Sequence, residues 1–152
     1  MENLRSDLNA LHNGNQESDI RFALSCRRIA VVGLSPRADR PSHEVTAYLI
    51  EHGYEIVGVR PAQEEILGRP CYPRLADVPG ELEVVDVFRS SESIPALVDE
   101  LLALPAGRRP RLLWLQQGVT HPEAEERARR AGIRVVSDLC ILREHARLQA
   151  GS

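Results

Sequence analysis

The chain has 152 residues, 43% hydrophobic and 27% charged, with a formal net charge of −3, which suits one globular domain with its own core. A small negative charge gives no overall attraction to nucleic acid or to an anionic membrane. No run approaches the roughly 18 apolar residues of a membrane span, and the polar, acidic start has no apolar centre of the kind a signal peptide needs, so a cytoplasmic protein is expected.

In chain order, residues 1–16 are rich in Asn, Gly, Gln and Ser and are expected to be frayed or disordered, leaving 17–152 as a single domain. "SDIRFALSC", from Ser18 to Cys26, has Ile20, Ala23 and Leu24 at helical spacing, with Ser18 or Asp19 as cap. Ile29–Gly33 is a continuous apolar run, the pattern of a parallel strand buried on both faces. A helix follows over Ser42–His52, with Ser42 as N-cap, an apolar stripe of Val45, Tyr48 and Leu49, and Gly53 at its end. "YEIVGV" is the second strand. Arg60–Pro79 then breaks the rhythm with four prolines and a glycine, and reads as a long structured loop with room for a short helix.

Val84–Phe88 is the third strand, "SIPALVDELLAL" a helix with Pro95 in its first turn, and Leu112–Leu115 the fourth strand. "PEAEERARRAG" is a helix capped by Thr120 and ended by Gly132; Ile133–Val136 is the fifth strand, and "CILREHARLQ" a closing helix. Strands alternating with helices imply right-handed βαβ units. The expected fold is a Rossmann-like, doubly wound parallel sheet of five strands with flanking helices, in three α/β/α layers.

Such sheets bind ligands beyond the carboxyl ends of their strands. Ser35, Arg37 and Arg40 follow the first strand, Arg60 the second, and Arg89 and Ser90 the third. Gln116, Gln117 and Gly118 follow the fourth, and Ser137 and Asp138 the fifth. A single arginine at a loop start is commonly just solvated; three successive strands ending in arginine at one rim point to a polyanion, most simply one with several phosphates. The helix beginning at Ser42 adds N–H groups and partial positive charge there, while Gly33 and Gly118 permit close backbone approach.

The loop lacks the G-x-G-x-x-G of dinucleotide binding, and Arg60 stands where NAD binding wants an acid roughly 20 residues past the glycines. NAD is therefore disfavoured, whereas Arg60 would suit the 2′-phosphate of NADP. Cys26, Cys71 and Cys140 form no C-x-x-C pair, and no His lies at metal-ligand spacing from them, so neither a disulfide framework nor a metal is expected. Cys140 with Asp138 is the nearest catalytic candidate. A cysteine opening a terminal helix is more often a packing residue, and no catalytic constellation is assigned.

The motifs together resemble the small stand-alone CoA-binding proteins, whose Rossmann-like domain is shared with the α subunit of succinyl-CoA synthetase. The likeness runs from Arg27 to Leu148 and rests on "IAVVGLSPRADRPSHEVTAYLIEHGYEIVGVRP", "ILGRPCYPRLADVP", "EVVDVFRSSESIP", "LLWLQQGV" and "GIRVVSDLCI", five segments in the family's order. The resemblance implies coenzyme A or acyl-CoA as the cofactor. Its phosphates would lie on Gly33, Ser35, Pro36, Arg37, Arg40 and Ser42, its adenosine part near Val59, Arg60 and Pro61, and Phe88, Arg89, Gln116 and Gly118 would complete the cleft. The family usually has Asn where this chain has Arg60, and often a basic residue where it has Leu139. In succinyl-CoA synthetase the phosphorylated histidine lies in another domain, so the likeness carries binding without the reaction: a carrier, sensor or accessory subunit, not an enzyme. An NADP-binding oxidoreductase or reductase subunit, and a protein-interaction module with a vestigial cleft, are the alternatives. The expected partner is a small-molecule CoA ligand, with no nucleic acid or membrane and with a protein partner left open.

Overall fold

The computed structural model describes residues 14–151. In it the chain runs α1 (Glu17–Ser25), β1 (Arg28–Val32), α2 (Pro41–Glu51), β2 (Glu55–Val59), β3 (Glu65–Ile66), β4 (Arg69–Tyr72) and β5 (Val84–Val87). It continues α3 (Ile94–Ala103), β6 (Leu112–Leu115), α4 (Pro122–Arg130), β7 (Arg134–Val136) and α5 (Ile141–Ala150). The strands form one sheet in the order β3-β4-β2-β1-β5-β6-β7. β3 pairs antiparallel with β4, and every other pairing is parallel.

The continuous apolar runs are strands because both faces of the sheet are covered. Side chains alternate between faces. Ala30, Val32, Val85 and Val87 pack with Leu97, Val98 and Leu101 of α3 and with Ala124 and Ala128 of α4. Ile29, Val31, Val84 and Trp114 pack with Ile20 of α1, Leu49 of α2 and Ile141 of α5. In α3, Ile94, Leu97, Val98 and Leu101 are buried at the i, i+3, i+4, i+7 spacing of one helical face. Three layers follow: α1, α2 and α5, then the sheet, then α3 and α4.

The sheet has seven strands rather than the expected five, because Arg60–Pro79 is not the loop expected there. β3 and β4 form a hairpin whose two turn residues, Leu67 and Gly68, both have positive φ, 55° and 72°, the twist that suits a two-residue connection. β4 then adds to β2 through Gly58↔Cys71 and Val59↔Tyr72. Gly58 is required: a Cβ there would stand 2.5 Å from Cys71 Sγ. A glycine inside a strand can mark close approach of another chain segment, but the prolines obscured it. The expected short helix is a single 3-10 turn over Leu75–Asp77.

The helix starts also differ. Pro41 occupies the first turn of α2 and Arg40 is its N-cap, so Ser42 lies inside the helix. α1 follows Gln16, not Ser18 or Asp19. α4 is capped by His121, whose Nδ1 accepts from Ala124 N at 3.3 Å, while the Glu125 carboxylate accepts from Thr120 Oγ1 and His121 N. Of the segment 1–16 expected to be disordered, residues 1–13 lie outside the described residues. Asn15, within that expected segment, is buried and hydrogen-bonds Ser137 through both ends of its amide, at 2.8 Å each. No described helix is long and apolar enough to cross a membrane.

Candidate functional site

β1 is flanked by β2 on one side and β5 on the other, so strand order reverses between β1 and β5. The crevice beyond this switch point is where open α/β sheets hold ligands. A cleft of about 610 Å³ lies there, lined by residues that follow β1, β2, β5 and β6; ligand pockets span roughly 300–1,000 Å³. Gly33 closes its floor. Its φ is 84°, and a Cβ would stand 2.4 Å from the Phe88 carbonyl oxygen, so no other residue lets the ends of β1 and β5 meet.

The loop after β1 is organised before any ligand arrives. Leu34 is fully buried and anchors it. Ser35 N donates to Ser42 Oγ at 2.9 Å, and Arg37 N donates to Ser35 Oγ at 3.1 Å. Both hydroxyls accept in these bonds, so each keeps its own proton to donate. The position of Ser42 inside α2 therefore joins the loop to the first turn of the helix. Pro41 and Ser42 line the cleft, bringing the positive end of α2 to it.

Arg37, Arg40, Arg60 and Arg89 line this cleft, and no carboxylate does. Arg37 pairs with Asp39 at 3.1 Å, both well exposed, so that contact is weak. Arg60 Nη1 donates to the Leu34 carbonyl at 3.3 Å, and its backbone N–H is held by Tyr72 O at 2.9 Å; the hairpin thus places Arg60. The Arg40 and Arg89 guanidiniums have no ion pair or hydrogen bond among the described residues. Most other arginines here are paired, for example Arg28 with Glu55, Arg134 with Asp19 and Arg147 with Glu17. A cluster of four cations with two free forks is arranged for an anion.

The opposite wall comes from Phe88, Ser90, Gln116, Gln117 and Val119. Gln116 and Val119 close a tight turn, Val119 N donating to Gln116 O at 2.8 Å. Asp138 latches that turn, its Oδ1 accepting from Gly118 N at 2.7 Å from a left-handed backbone, φ 59°. Asp138 is thus engaged in holding the turn. Cys140 is half-buried, opens α5 as its N-cap, and makes no side-chain cap bond.

Beneath Gln116 lies a group that sequence reasoning passed over. Asp86, in the middle of β5, is fully buried, and its Oδ1 accepts from Gln116 Nε2. Its Oδ2 has no partner among the described residues. Burial pushes the carboxyl up to about 7, with the Gln116 hydrogen bond opposing the shift. The available signal was an acid inside the apolar run "EVVDVF", since an unpaired buried charge is costly.

The structure brings Gly33, Ser35, Arg37, Arg40, Ser42, Arg60, Phe88, Arg89 and Gln116 of the expected residues into one cleft, and leaves Pro36, Val59, Pro61 and Gly118 outside its lining. Val59 is buried in the sheet core, and the Gly118 N–H is taken by Asp138. Pro41, Ser90, Gln117 and Val119 also line the cleft. Val119 carries no polar group to mark it, and only the turn at Gly118 directs it inward. No group of three or more His, Cys, Asp or Glu among the described residues is placed to hold a metal.

Comparison with known proteins agrees with this geometry. The CoA binding domain family matches residues 27–146. Uncharacterized protein YneT of Bacillus subtilis (strain 168) is 41% identical over 120 residues, covering 79% of this chain and 86% of its own. A hypothetical protein from Pyrococcus horikoshii OT3 has a solved structure that is 36% identical, with a TM-score of 0.78 over 90% of this chain and 94% of that one. Acetate–CoA ligase [ADP-forming] I of Archaeoglobus fulgidus is 24% identical over 121 residues, which are 74% of this chain and 17% of the ligase. With its switch-point cleft and its full span of matching strands, this chain belongs to the CoA-binding domain family.

Proposed function

We propose that the cleft binds coenzyme A or an acyl-CoA, and that the domain serves as a carrier, sensor or accessory subunit without a reaction centre of its own. The observation that carries this reading is the pair of unpartnered guanidiniums, Arg40 and Arg89, in one cleft with the N-terminus of α2. Phosphates would meet Arg37, Arg40, the Ser35 and Ser42 hydroxyls and the first turn of α2, while Arg89 closes from β5. Arg60, at the end of β2, would meet the adenosine end. Phe88 and Val119 offer apolar surface to the pantetheine arm, and Gln116 and Gln117 offer amides to its amides. The loop is held by its own hydrogen bonds, which lowers the ordering cost of binding.

Family membership supports CoA as the ligand class, and likeness to the acetate–CoA ligase covers only a small part of that enzyme. Titration calorimetry with CoA and with dephospho-CoA tests the proposal on folded protein. Binding to either supports it, and binding to neither overturns it. Arg60 also keeps the NADP reading in play; a change in NADPH fluorescence at concentrations where CoA does not bind would favour that cofactor instead. Arg37→Glu with Arg40→Glu separates the third possibility: cellular function that survives while ligand binding is lost would place the working surface elsewhere.

A further inference from the structure

Among the described residues Asp86 is the one fully buried carboxylate of the sheet, and the cleft lies a single side chain away. It sits on β5 between Val31 of β1 and Trp114 of β6, both apolar. Gln116 joins it to the cleft wall: Nε2 donates to Asp86 Oδ1, and Oε1 accepts from Ile141 N at 3.4 Å. The Ile141 N–H fixes the amide, because a flipped amide would set donor against donor. Gln116 is therefore held at both ends, and Asp86 Oδ2 is left without a partner. A fully buried carboxylate oxygen with no donor favours the protonated form.

We propose that Asp86 is a proton-linked positioning residue, which holds Gln116 against the cleft and takes up a proton when a polyanionic ligand binds. This rests on the CoA reading above. The ligand's phosphates bring negative charge to the cleft, and its bulk excludes water from Gln116; both changes penalise the carboxylate. The proton comes from solvent and is carried on Oδ2, while Oδ1 accepts from Gln116 in either state, so no other bond has to change.

On the helices packed against this face, Tyr48 is bonded to His145 at 2.7 Å, and Glu17 and Glu144 are both paired with Arg147. Asp19 is paired with Arg134, and in the first turn of α2 His43 is half-buried and Glu44 exposed. Burial and the Gln116 hydrogen bond are the two influences on Asp86, and they leave it poised near neutrality, at about 7.

The test is CoA calorimetry from pH 6 to pH 8, in buffers of differing ionisation enthalpy, with wild-type and Asp86→Asn protein. Asparagine keeps an oxygen for Gln116 and removes the titration. CoA's own phosphate ionises identically in both experiments and cancels in the difference. Wild-type affinity should fall roughly three- to tenfold more than that of the variant across this range, with additional proton uptake at neutral pH. Equal proton counts and equal pH slopes, with CoA bound by both, would overturn the role of Asp86 and leave the CoA reading intact. Failure of folded wild-type protein to bind CoA at all would overturn both. If Asp86→Asn does not fold, the difference infrared spectrum of wild-type protein on adding CoA decides: gain of a protonated carboxyl band supports the proposal, and its absence rejects it.

Discussion

Single residues decide what the cleft can hold. Arg40 and Arg89 have no internal partner to compete with a ligand, so removing either should register as lost affinity and not as lost stability. Arg40→Ala and Arg89→Ala should each weaken CoA binding by about 1.5–3 kcal/mol, the range for a charged hydrogen bond, with unchanged thermal unfolding; an unchanged dissociation constant removes that arginine from the site. Asp86 acts on the fold as well. Its carboxyl rises from 3.8 to about 7 on folding, so the native state keeps a proton that the unfolded chain gives up. Its stabilising contribution is complete below pH 3.8 and is lost as the pH climbs through about 7. Over that window the loss is on the order of 4 kcal/mol. Asp86→Asn should therefore gain stability relative to wild type as pH rises from 5 to 8, read from urea midpoints. A difference that does not change with pH would contradict the buried, poised state of the group.

At the scale of elements, the binding loop is an extension of α2. Ser42 reaches back from inside the helix to the Ser35 N–H, and Ser35 in turn holds Arg37 N. Ser42→Ala leaves a buried donor unsatisfied and should cost about 1–3 kcal/mol, lowering the denaturation midpoint and weakening CoA together. The β3–β4 hairpin works similarly from the other side, holding the Arg60 backbone through Tyr72. Much of this was legible along the chain. The apolar runs, the glycine after β1 and the arginines after three strands mark the cleft in the sequence, because buried parallel strands and their carboxyl-end loops have a plain sequence pattern. The hairpin was not legible: its prolines speak against strand, and pairing with β2 outweighs that local preference. Ser42 was misread for a related reason. A serine before an apolar stripe looks like a cap, yet Pro41 opens the helix and the cap falls two residues earlier, at Arg40.

For the whole molecule, charge is the quantity that matters. The net charge is −3, while the cleft gathers four arginines and no carboxylate. The proposed attraction of CoA is thus local and should be screened by salt. Raising ionic strength from 0.05 M to 0.5 M should weaken CoA binding severalfold, whereas a ligand held mainly by apolar contact would bind about equally in both. By itself, the sequence determined the layered α/β class, the chain succession of the five main strands and the rim on which polar and basic side chains collect. Those depend on hydrophobic period and on which residue follows each strand, and both are local. Only the tertiary structure decided that β4 joins the sheet, that Asp138 secures the Gln116 turn, and that Gln116 couples the cleft to a buried Asp86. Each of these depends on contacts between segments 13 to 30 residues apart, set by strand pairing and burial and not by local pattern.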